Sequence, residues 1–416
     1  MKKTIVAMAM LLVSTVAFSQ EEKPSKFKLY GFIRNYFIAD TREVNAGTQD
    51  LYFYMPKDVN MQDGVDMNAG LNWRYLSLTT RLGLDVSGYK FGRMNVSGKV
   101  EADFYSLSGT SSSAIVPQLR LRQAFMKLSW DESPLSLTLG QAWHPMGVDL
   151  PHITNLESGA PFNPFNRTPQ ITADIKTGAF TFTASLLYLN HFLPTGPNGK
   201  SNEYYKYGLP ELYVGAAYQN GGVLVKAGVD VVNSRPYRTV NNEGKVKAKG
   251  LLTAVSPFAF FQYTHGKFQL RAKAVLAQSG EHLNLLSGYG VASFDAATST
   301  YTYTPMQDLA SFVSFQYGKK FQVMATLGYM KQLGTTRDLM STSLLWLNTA
   351  ADTKIQQAFR ATPTLAWNIG KFTVSLEYNI TAAEFGRGSR NARGMFDGTP
   401  EWVLNHRFIC MTKFNF

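Results

Sequence analysis

The sequence has almost no cysteine and, after its first twenty residues, no long apolar run. Cys410 is the one cysteine among 416 residues, so an intrachain disulfide is excluded. The most apolar later stretch, residues 251–261, is interrupted by Ser256 and Pro257. A membrane-spanning helix needs about 20 apolar residues in succession. If the mature chain crosses a membrane, it therefore does so with β-strands.

The sequence also lacks the short motifs of the common enzyme classes. It contains no Gly-Lys-Ser/Thr phosphate loop, no His-Glu-x-x-His and no Gly-x-Ser-x-Gly. The six histidines do not pair at the spacing of metal ligands. We therefore expect no enzyme activity, no catalytic residue, no metal and no cofactor. The alternative is a hydrolytic site at a barrel mouth, built from His144, His152, Asp149 and Glu157.

The first residues have the pattern of an export signal. Lys2 and Lys3 precede an uncharged apolar run, and Ala17 and Ser19 are small residues at the positions that a signal peptidase reads. We predict a signal peptide over residues 1–19 and a mature domain over 20–416. The alternative is a membrane anchor helix, which the short length of the run disfavours.

Apolar residues recur at every second position in sixteen stretches of the chain. This period predicts β-strands, with boundaries near 26–41, 72–88, 92–107, 119–130, 135–145, 169–176, 179–190, 210–219, 223–236, 247–264, 267–280, 307–317, 320–332, 355–368, 371–384 and 401–416. Phe (28) and Tyr (21) far outnumber Trp (6), and a barrel places such aromatics in girdles at its two membrane interfaces.

Seven tight connections alternate with eight long ones between these strands. In bacterial barrels, short turns face the periplasm and long loops face outward. The sequence therefore predicts an all-β fold, a transmembrane antiparallel barrel of 16 strands in the cell outer membrane. The alternative is a two-sheet sandwich, whose strands are shorter and whose charged face lies outside.

Three strands illustrate the assignment of faces. In the second strand, Leu76 and Leu78 are assigned to the lipid side and Thr79 to the lumen. The fourth strand changes phase near Arg122 and Gln123, so either a β-bulge lies there or its first residues stand above the bilayer. In the last strand, the phase assigns Cys410 and the terminal Phe416 to the lipid side.

The predicted inward faces carry more cations than anions. The cations are Arg34, Arg81, Lys99, Lys226, Arg271, Lys273, Arg360, Arg407 and Lys413, and the anions are Asp85, Glu101, Asp103, Asp174, Asp230 and Glu377. Rings of basic residues favour anions in pores, so we expect pore-lining roles and a mild anion preference. Alternatively, these charges pair across strands and only support the wall.

The loop over residues 146–168 is the candidate constriction. It is rich in proline, which stiffens a segment that forms no sheet. Its charged and titratable residues are Asp149, His152, Glu157 and Arg167. The alternative is an ordinary outward loop packed on its neighbours.

Two local strings resemble a known family. Residues 29–34 read Leu-Tyr-Gly-Phe-Ile-Arg, and residues 140–143 read Gly-Gln-Ala-Trp, after Leu-Arg-Leu-Arg-Gln-Ala at 119–124. These strings are similar to Gram-negative outer-membrane porins of the DcaP-like and Bacteroides-type groups. The resemblance implies a homotrimer, a third loop folded into the lumen and diffusion of small hydrophilic solutes. The sequence departs from DcaP-like porins in one respect, since we expect no N-terminal coiled coil before the first strand.

We therefore predict a passive porin, whose partners are the lipid bilayer, two further copies of the chain, small hydrophilic solutes and no nucleic acid. Phe416 resembles the assembly signal by which outer-membrane proteins engage their assembly machinery. A substrate-specific channel for organic acids or oligosaccharides is the main alternative, and a barrel protease or lipase is a weaker one. A TonB-coupled transporter needs 22 strands, for which this chain is too short.

Overall fold

The computed structural model describes residues 26–47, 51–108, 116–155, 159–190, 192, 196–197, 206–240, 246–348 and 352–416. The predicted signal peptide and Glu157 lie outside these ranges. Within them, no helix has the length and apolar character needed to cross a bilayer.

The described residues form a closed antiparallel barrel of sixteen strands, which confirms the predicted fold. The strands, numbered in chain order, are Phe27–Arg42 (β1), Ala69–Leu76 with Arg81–Phe91 (β2), Met94–Ser108 (β3), Val116–Trp130 (β4), Leu135–Trp143 (β5), Arg167–Thr177 (β6), Phe180–Leu187 (β7), Leu209–Asn220 (β8), Val223–Ser234 (β9), Leu252–His265 (β10), Phe268–Gln278 (β11), Thr300–Gly318 (β12), Phe321–Thr335 (β13), Ile355–Ala361 with Thr364–Ile369 (β14), Phe372–Phe385 (β15) and Glu401–Asn415 (β16). Pairing of β1 with β16 closes the sheet, from Phe32 opposite Asn415 to Asp40 opposite Arg407.

Short elements decorate the long loops. The loop after β1 contains two small hairpins, and a strand over Gly288–Asp295 pairs with the first residues of β12. This pairing explains why β12 begins at Thr300 and not at residue 307, as the sequence predicted. The further elements are the strands Val44–Gly47, Tyr52–Pro56, Met61–Gln62, Val65–Asp66 and Leu345–Leu347 and the 3-10 helices Pro145–Gly147, Gly280–Leu283 and Thr342–Leu344.

Strand β2 is interrupted at residues 77–80, where Thr79 has a φ of 66°. The interruption reverses the alternation, because Trp73 is exposed before it and Leu82 is exposed after it. The prediction that Leu76 and Leu78 face lipid is therefore wrong. Both are buried in one apolar cluster with inward-facing residues of β1 and β16. Regular alternation cannot be extended through a break of this kind.

Strand β4 contains a β-bulge at Arg122. Glu101 of β3 pairs with Gln123, and the next residue, Ala102, pairs with Leu121, so Arg122 is the extra residue. The bulge resolves the change of phase that the sequence left open. It also brings two consecutive side chains, those of Arg122 and Gln123, to the same carboxylate.

The outer face of the barrel is an apolar belt. In β16, the alternate residues Trp402, Phe408 and Phe414 are about half exposed. The residues between them, such as Arg407, are buried on the inner side. Alternation with the apolar face outward is the pattern that a bilayer requires, since lipid cannot solvate polar side chains.

Candidate pore and its basic cluster

The loop between β5 and β6, residues 144–166 and here called the inner loop, lies against the inner face of the barrel wall. Lys226 of β9 donates from Nζ to both carboxylate oxygens of Asp149, each at 2.9 Å. Lys273 of β11 donates to the Met146 carbonyl and to Asn163 Oδ1, both at 2.8 Å. Two inward-facing lysines therefore bind the loop from neighbouring parts of the wall.

Further polar contacts extend along the same loop. Arg271 of β11 donates to the Leu150 carbonyl at 2.6 Å, and Arg360 of β14 donates to the Ala160 carbonyl at 3.0 Å. The Thr154 amide donates to the Glu377 carboxylate of β15 at 2.5 Å. With the contact of His144 to Glu211 of β8, the described part of the inner loop thus contacts the wall from β8 to β15.

Apolar packing supports these hydrogen bonds. Phe162 of the inner loop is 2 % exposed and belongs to a buried cluster with Met330 of β13 and Phe385 of β15. The Phe162 ring lies directly over Gly328 of β13. A Cβ atom on residue 328 would be only 2.5 Å from this ring and would clash with it. The absence of a side chain at Gly328 is therefore what allows Phe162 to reach the wall.

His152 is enclosed between the inner loop and the wall. Its amide donates to Ser314 Oγ at 2.8 Å, and its carbonyl accepts from Thr326 Oγ1 at 3.1 Å. Burial, assisted by the nearby Arg271 guanidinium, lowers the pKa of His152 to about 4. The imidazole is therefore neutral at physiological pH and adds no charge to the loop.

Basic residues from several parts of the chain converge elsewhere on the inner wall. They are accompanied by two carboxylates, Glu101 and Asp103 of β3. We call this set the basic cluster, and its cations among the described residues are Arg34, Arg81, Arg120, Arg122, Arg167 and Lys413.

Three of these cations surround the ring of Phe32 on β1. The guanidinium carbons of Arg34 and Arg81 each lie 4.9 Å from the ring centroid, and Lys413 Nζ lies 5.8 Å from it. Arg34 donates from Nε and Nη2 to the hydroxyl of Thr79, at 2.9 and 2.8 Å, and not to a carboxylate. These two bonds therefore give Arg34 a neutral partner and no anionic one.

The two carboxylates bind the arginines of β4. Arg122 donates to Glu101 at 2.8 Å and to Asp103 at 2.7 Å, and Arg120 donates to Asp103 at 3.0 and 3.2 Å. Arg81 is farther from Glu101, at 3.6 Å. The bulge at Arg122 is what brings this side chain between both carboxylates, so that it bridges them with one bond to each, whereas Arg120 binds Asp103 in bidentate geometry.

Arg167 joins the cluster from the first position of β6. It is 1 % exposed, and its Nε and Nη1 atoms have no hydrogen-bond partner among the described residues. Its guanidinium carbon lies 4.9 Å from the ring centroid of Trp143 and 5.2 Å from that of Phe165. A buried cation with unsatisfied donors is costly unless an anion is close.

The remaining predicted residues are paired or covered. Lys273 and Arg360 are 3 % exposed beneath the inner loop, and Arg407 is fully buried. Three further pairs complete the set: Lys99 Nζ with Asp85 Oδ1 at 2.9 Å, Arg407 Nε with Asp40 Oδ1 at 2.8 Å and Thr183 Oγ1 with Asp174 Oδ1 at 2.6 Å. Asp230 lies beside two histidines, and Phe416 donates its amide to the Gly31 carbonyl at 3.1 Å.

Sequence reasoning did not select Arg120 or Arg122 as site residues. The signal was the change of phase around residues 119–124, which left the inward residues of β4 undecided. Because a bulge exposes two consecutive residues to one face, alternation alone cannot assign them.

Neither the protein-family models nor the curated proteins match the chain. Solved structures do match over nearly its whole length. The outer membrane channel DcaP of Acinetobacter baumannii aligns with a TM-score of 0.67 and 19% identity, over 96% of this chain and 100% of that one. The fold is that of an outer-membrane porin.

Two further porins align with lower scores. The anion-selective porin from Comamonas acidovorans has a TM-score of 0.53 and 10% identity, over 94% of this chain and 99% of that one. Salmonella typhi OmpF has a TM-score of 0.52 and 11% identity, over 94% and 97%. The closed barrel and its apolar outer belt are those of a protein of the outer membrane.

Proposed function

We propose that the chain forms an aqueous channel for passive diffusion of small hydrophilic solutes, with a preference for anions, and that it has no enzyme activity. The observation that carries this proposal is the basic cluster. Its six cations face two carboxylates, so the excess charge is positive. A concentration of one charge in a narrow pore raises the local concentration of the opposite ion.

The partly exposed members of the cluster are the ones that act on passing ions. The side chain of Arg81 is 19% exposed and that of Arg120 is 25% exposed. Arg122 is 6% exposed and serves to hold the two carboxylates. In this proposal, Arg34, Arg81 and Arg120 line the anion path.

The inner loop is the proposed constriction. It is bound to the wall from β8 to β15, whereas the basic cluster draws on β1 to β4, β6 and β16. Lys226 neutralises Asp149, and His152 is uncharged, so these two loop residues do not offset the positive charge of the cluster. Glu157, which lies outside the described residues, is the one further acidic residue predicted there.

The experiment is the zero-current potential of the purified protein in a planar bilayer under a KCl gradient. We expect the sign that corresponds to chloride permeating faster than potassium. A potential of cation-selective sign would contradict the proposed preference, and the absence of stable conductance by folded protein would contradict the channel itself.

A substrate-specific channel for organic acids is the second candidate. Arg34 donates to a hydroxyl, and Arg167 has two donors without a partner among the described residues. Carboxylates accept such donors in bidentate geometry. Saturable block of single-channel chloride current by a dicarboxylate, and not by a neutral oligosaccharide, would favour this candidate. Block by the oligosaccharide would favour a sugar channel.

Assembly and family membership complete the proposal. We propose a homotrimer of the DcaP-like or Bacteroides-type group, inserted by the outer-membrane assembly machinery through β16 and Phe416. The alignment with the DcaP channel over 96% of this chain supports the DcaP-like group. The mass of the protein in detergent tests the trimer, and a monomeric mass would contradict it.

A further inference from the structure

Four chemically suitable side chains meet inside the barrel although they are far apart in the sequence. His144 begins the inner loop, and His282 lies in the 3-10 helix Gly280–Leu283 between β11 and β12. Glu211 comes from β8 and Asp230 from β9. One nitrogen or oxygen from each residue lies within 4.8 Å of the other three. The basic cluster and the proposed ion path do not use these residues.

We propose that His144, Glu211, Asp230 and His282 form a binding site for a divalent transition-metal ion such as Zn²⁺, which fastens the inner loop to the barrel wall. The sequence predicted no metal site, because the histidines are 138 residues apart and the acids lie on two other strands.

The distances between the donor atoms suit a tetrahedral site. His282 Nε2 lies 3.2 Å from Asp230 Oδ2 and 3.4 Å from Glu211 Oε1. His144 Nε2 lies 3.7 Å from Oδ1, the other oxygen of the Asp230 carboxylate, and a four-coordinate site uses one of these two oxygens. Ligand atoms about 2.1 Å from a tetrahedral Zn²⁺ lie roughly 3.4 Å from one another. Among these histidine–carboxylate pairs, the one that must separate, by less than about 1 Å, is His144 Nε2 and Glu211 Oε1, which are 2.6 Å apart.

Charge and burial favour occupation by a cation. The side chains of His144, Glu211 and Asp230 are fully buried, and that of His282 is 4% exposed. With neutral imidazoles, the four side chains carry two negative charges, which one divalent ion would neutralise. Two carboxylate oxygens, Glu211 Oε2 and Asp230 Oδ1, have no hydrogen-bond partner among the described residues. Asp230 Oδ1 points into the cluster, towards His144 Nε2.

Binding changes the proton position on His144. Its Nδ1 accepts the Met146 amide at 3.2 Å, an arrangement that fits a neutral ring with its proton on Nε2, 2.6 Å from Glu211 Oε1. Coordination through Nε2 moves this proton to Nδ1, and the long bond from Met146 opens. Four protein ligands leave no open position, so the site is structural and supplies no catalysis.

The test is the Zn²⁺ content of the folded full-length chain. The protein is unfolded in urea with a chelator, refolded into detergent, loaded with Zn²⁺ and desalted before metal analysis. We expect about one Zn²⁺ per wild-type chain. Glu211→Gln combined with Asp230→Asn removes both charges at nearly constant shape and lowers the content at least about tenfold. His265→Gln, at the last residue of β10, is the control and retains the wild-type content.

The site is overturned if the wild-type protein folds without retaining Zn²⁺, because hydrogen bonds between the histidines and the carboxylates then hold the cluster together. It is also overturned if the double variant retains as much Zn²⁺ as wild type. If the double variant does not fold, His282→Gln replaces it. Co²⁺ loading of wild-type protein is a second measurement. The strong visible absorption of four-coordinate Co²⁺ supports the site, and the weak absorption of six-coordinate Co²⁺ contradicts it.

Discussion

Removal of Arg34 and Arg81 from the basic cluster should abolish most of the anion preference. Both lie against Phe32, and neither forms a close ion pair, since Arg34 binds a hydroxyl and Arg81 is 3.6 Å from Glu101. Arg34→Gln with Arg81→Gln therefore removes two charges and leaves the close Arg122 and Arg120 pairs with Glu101 and Asp103 intact.

The size of the effect follows from Coulomb's law. A unit charge about 6 Å from a passing ion in water contributes roughly 0.7 kcal/mol, with opposite signs for chloride and potassium. The chloride-to-potassium permeability ratio depends on the energy difference between the two ions, which changes by twice this contribution because the signs are opposite. Without screening, one arginine therefore changes the ratio by about tenfold. At an ionic strength of about 0.1 M, screening over about 10 Å reduces this to roughly threefold to fourfold. The two substitutions together should lower the chloride-to-potassium ratio by about tenfold, and by more at low salt.

The assay is the zero-current potential in planar bilayers, repeated at several salt concentrations. Lys90→Gln is the control, because Lys90 pairs with Asp131 beside the turn between β2 and β3, outside the cluster. A folded double variant with the wild-type permeability ratio would refute the reasoning. An equal shift in the control would also refute it, because net charge and not position would then set the selectivity.

Three further predictions concern the inner loop and barrel closure. Gly328→Leu should displace Phe162 and raise single-channel conductance, and unchanged conductance would contradict the docking of the loop. The folded-state pKa of His152, about 4, lies below the ordinary value of 6.5, so folding stability should fall by at most about 3 kcal/mol as the pH drops from 6.5 to 4. His152→Gln should remove that part of the pH dependence of the urea midpoint, and an identical pH profile would disprove it. Gly31→Val should prevent closure, because its Cβ would meet a backbone oxygen at 2.4 Å, whereas Gly70→Ala has free space and should give wild-type yields of folded protein.

Most of the fold could be predicted because its signals are local. Alternation with a period of two and the residues of tight turns require no knowledge of distant neighbours. The strand count is therefore correct, and most boundaries lie within three residues of those observed. The errors occur where local regularity fails, at the interruption of β2 and at the early start of β12, which pairs with a loop strand. The predicted start of β10 at residue 247 is also wrong, since the strand begins at Leu252.

The site was less predictable, because its partners are distant in the chain. Arg407 of β16 pairs with Asp40 of β1, where the first and last strands close the barrel, and Lys273 donates a hydrogen bond to the inner loop. Sequence phase can assign a side chain to the inner face, but it cannot state whether that side chain meets water, a loop or an opposite charge.

The sequence by itself determined the sixteen strands and the alternation of short and long connections, and it predicted an excess of inward cations, because each depends on the order of neighbouring residues. The tertiary structure alone decided that a bulge brings Arg122 to two carboxylates, that the inner loop lies on the wall and that His144 meets His282. The physical reason is closure of the sheet. It brings strands that are hundreds of residues apart into contact and confines their buried charges, whose energies depend on distance and burial and not on sequence order.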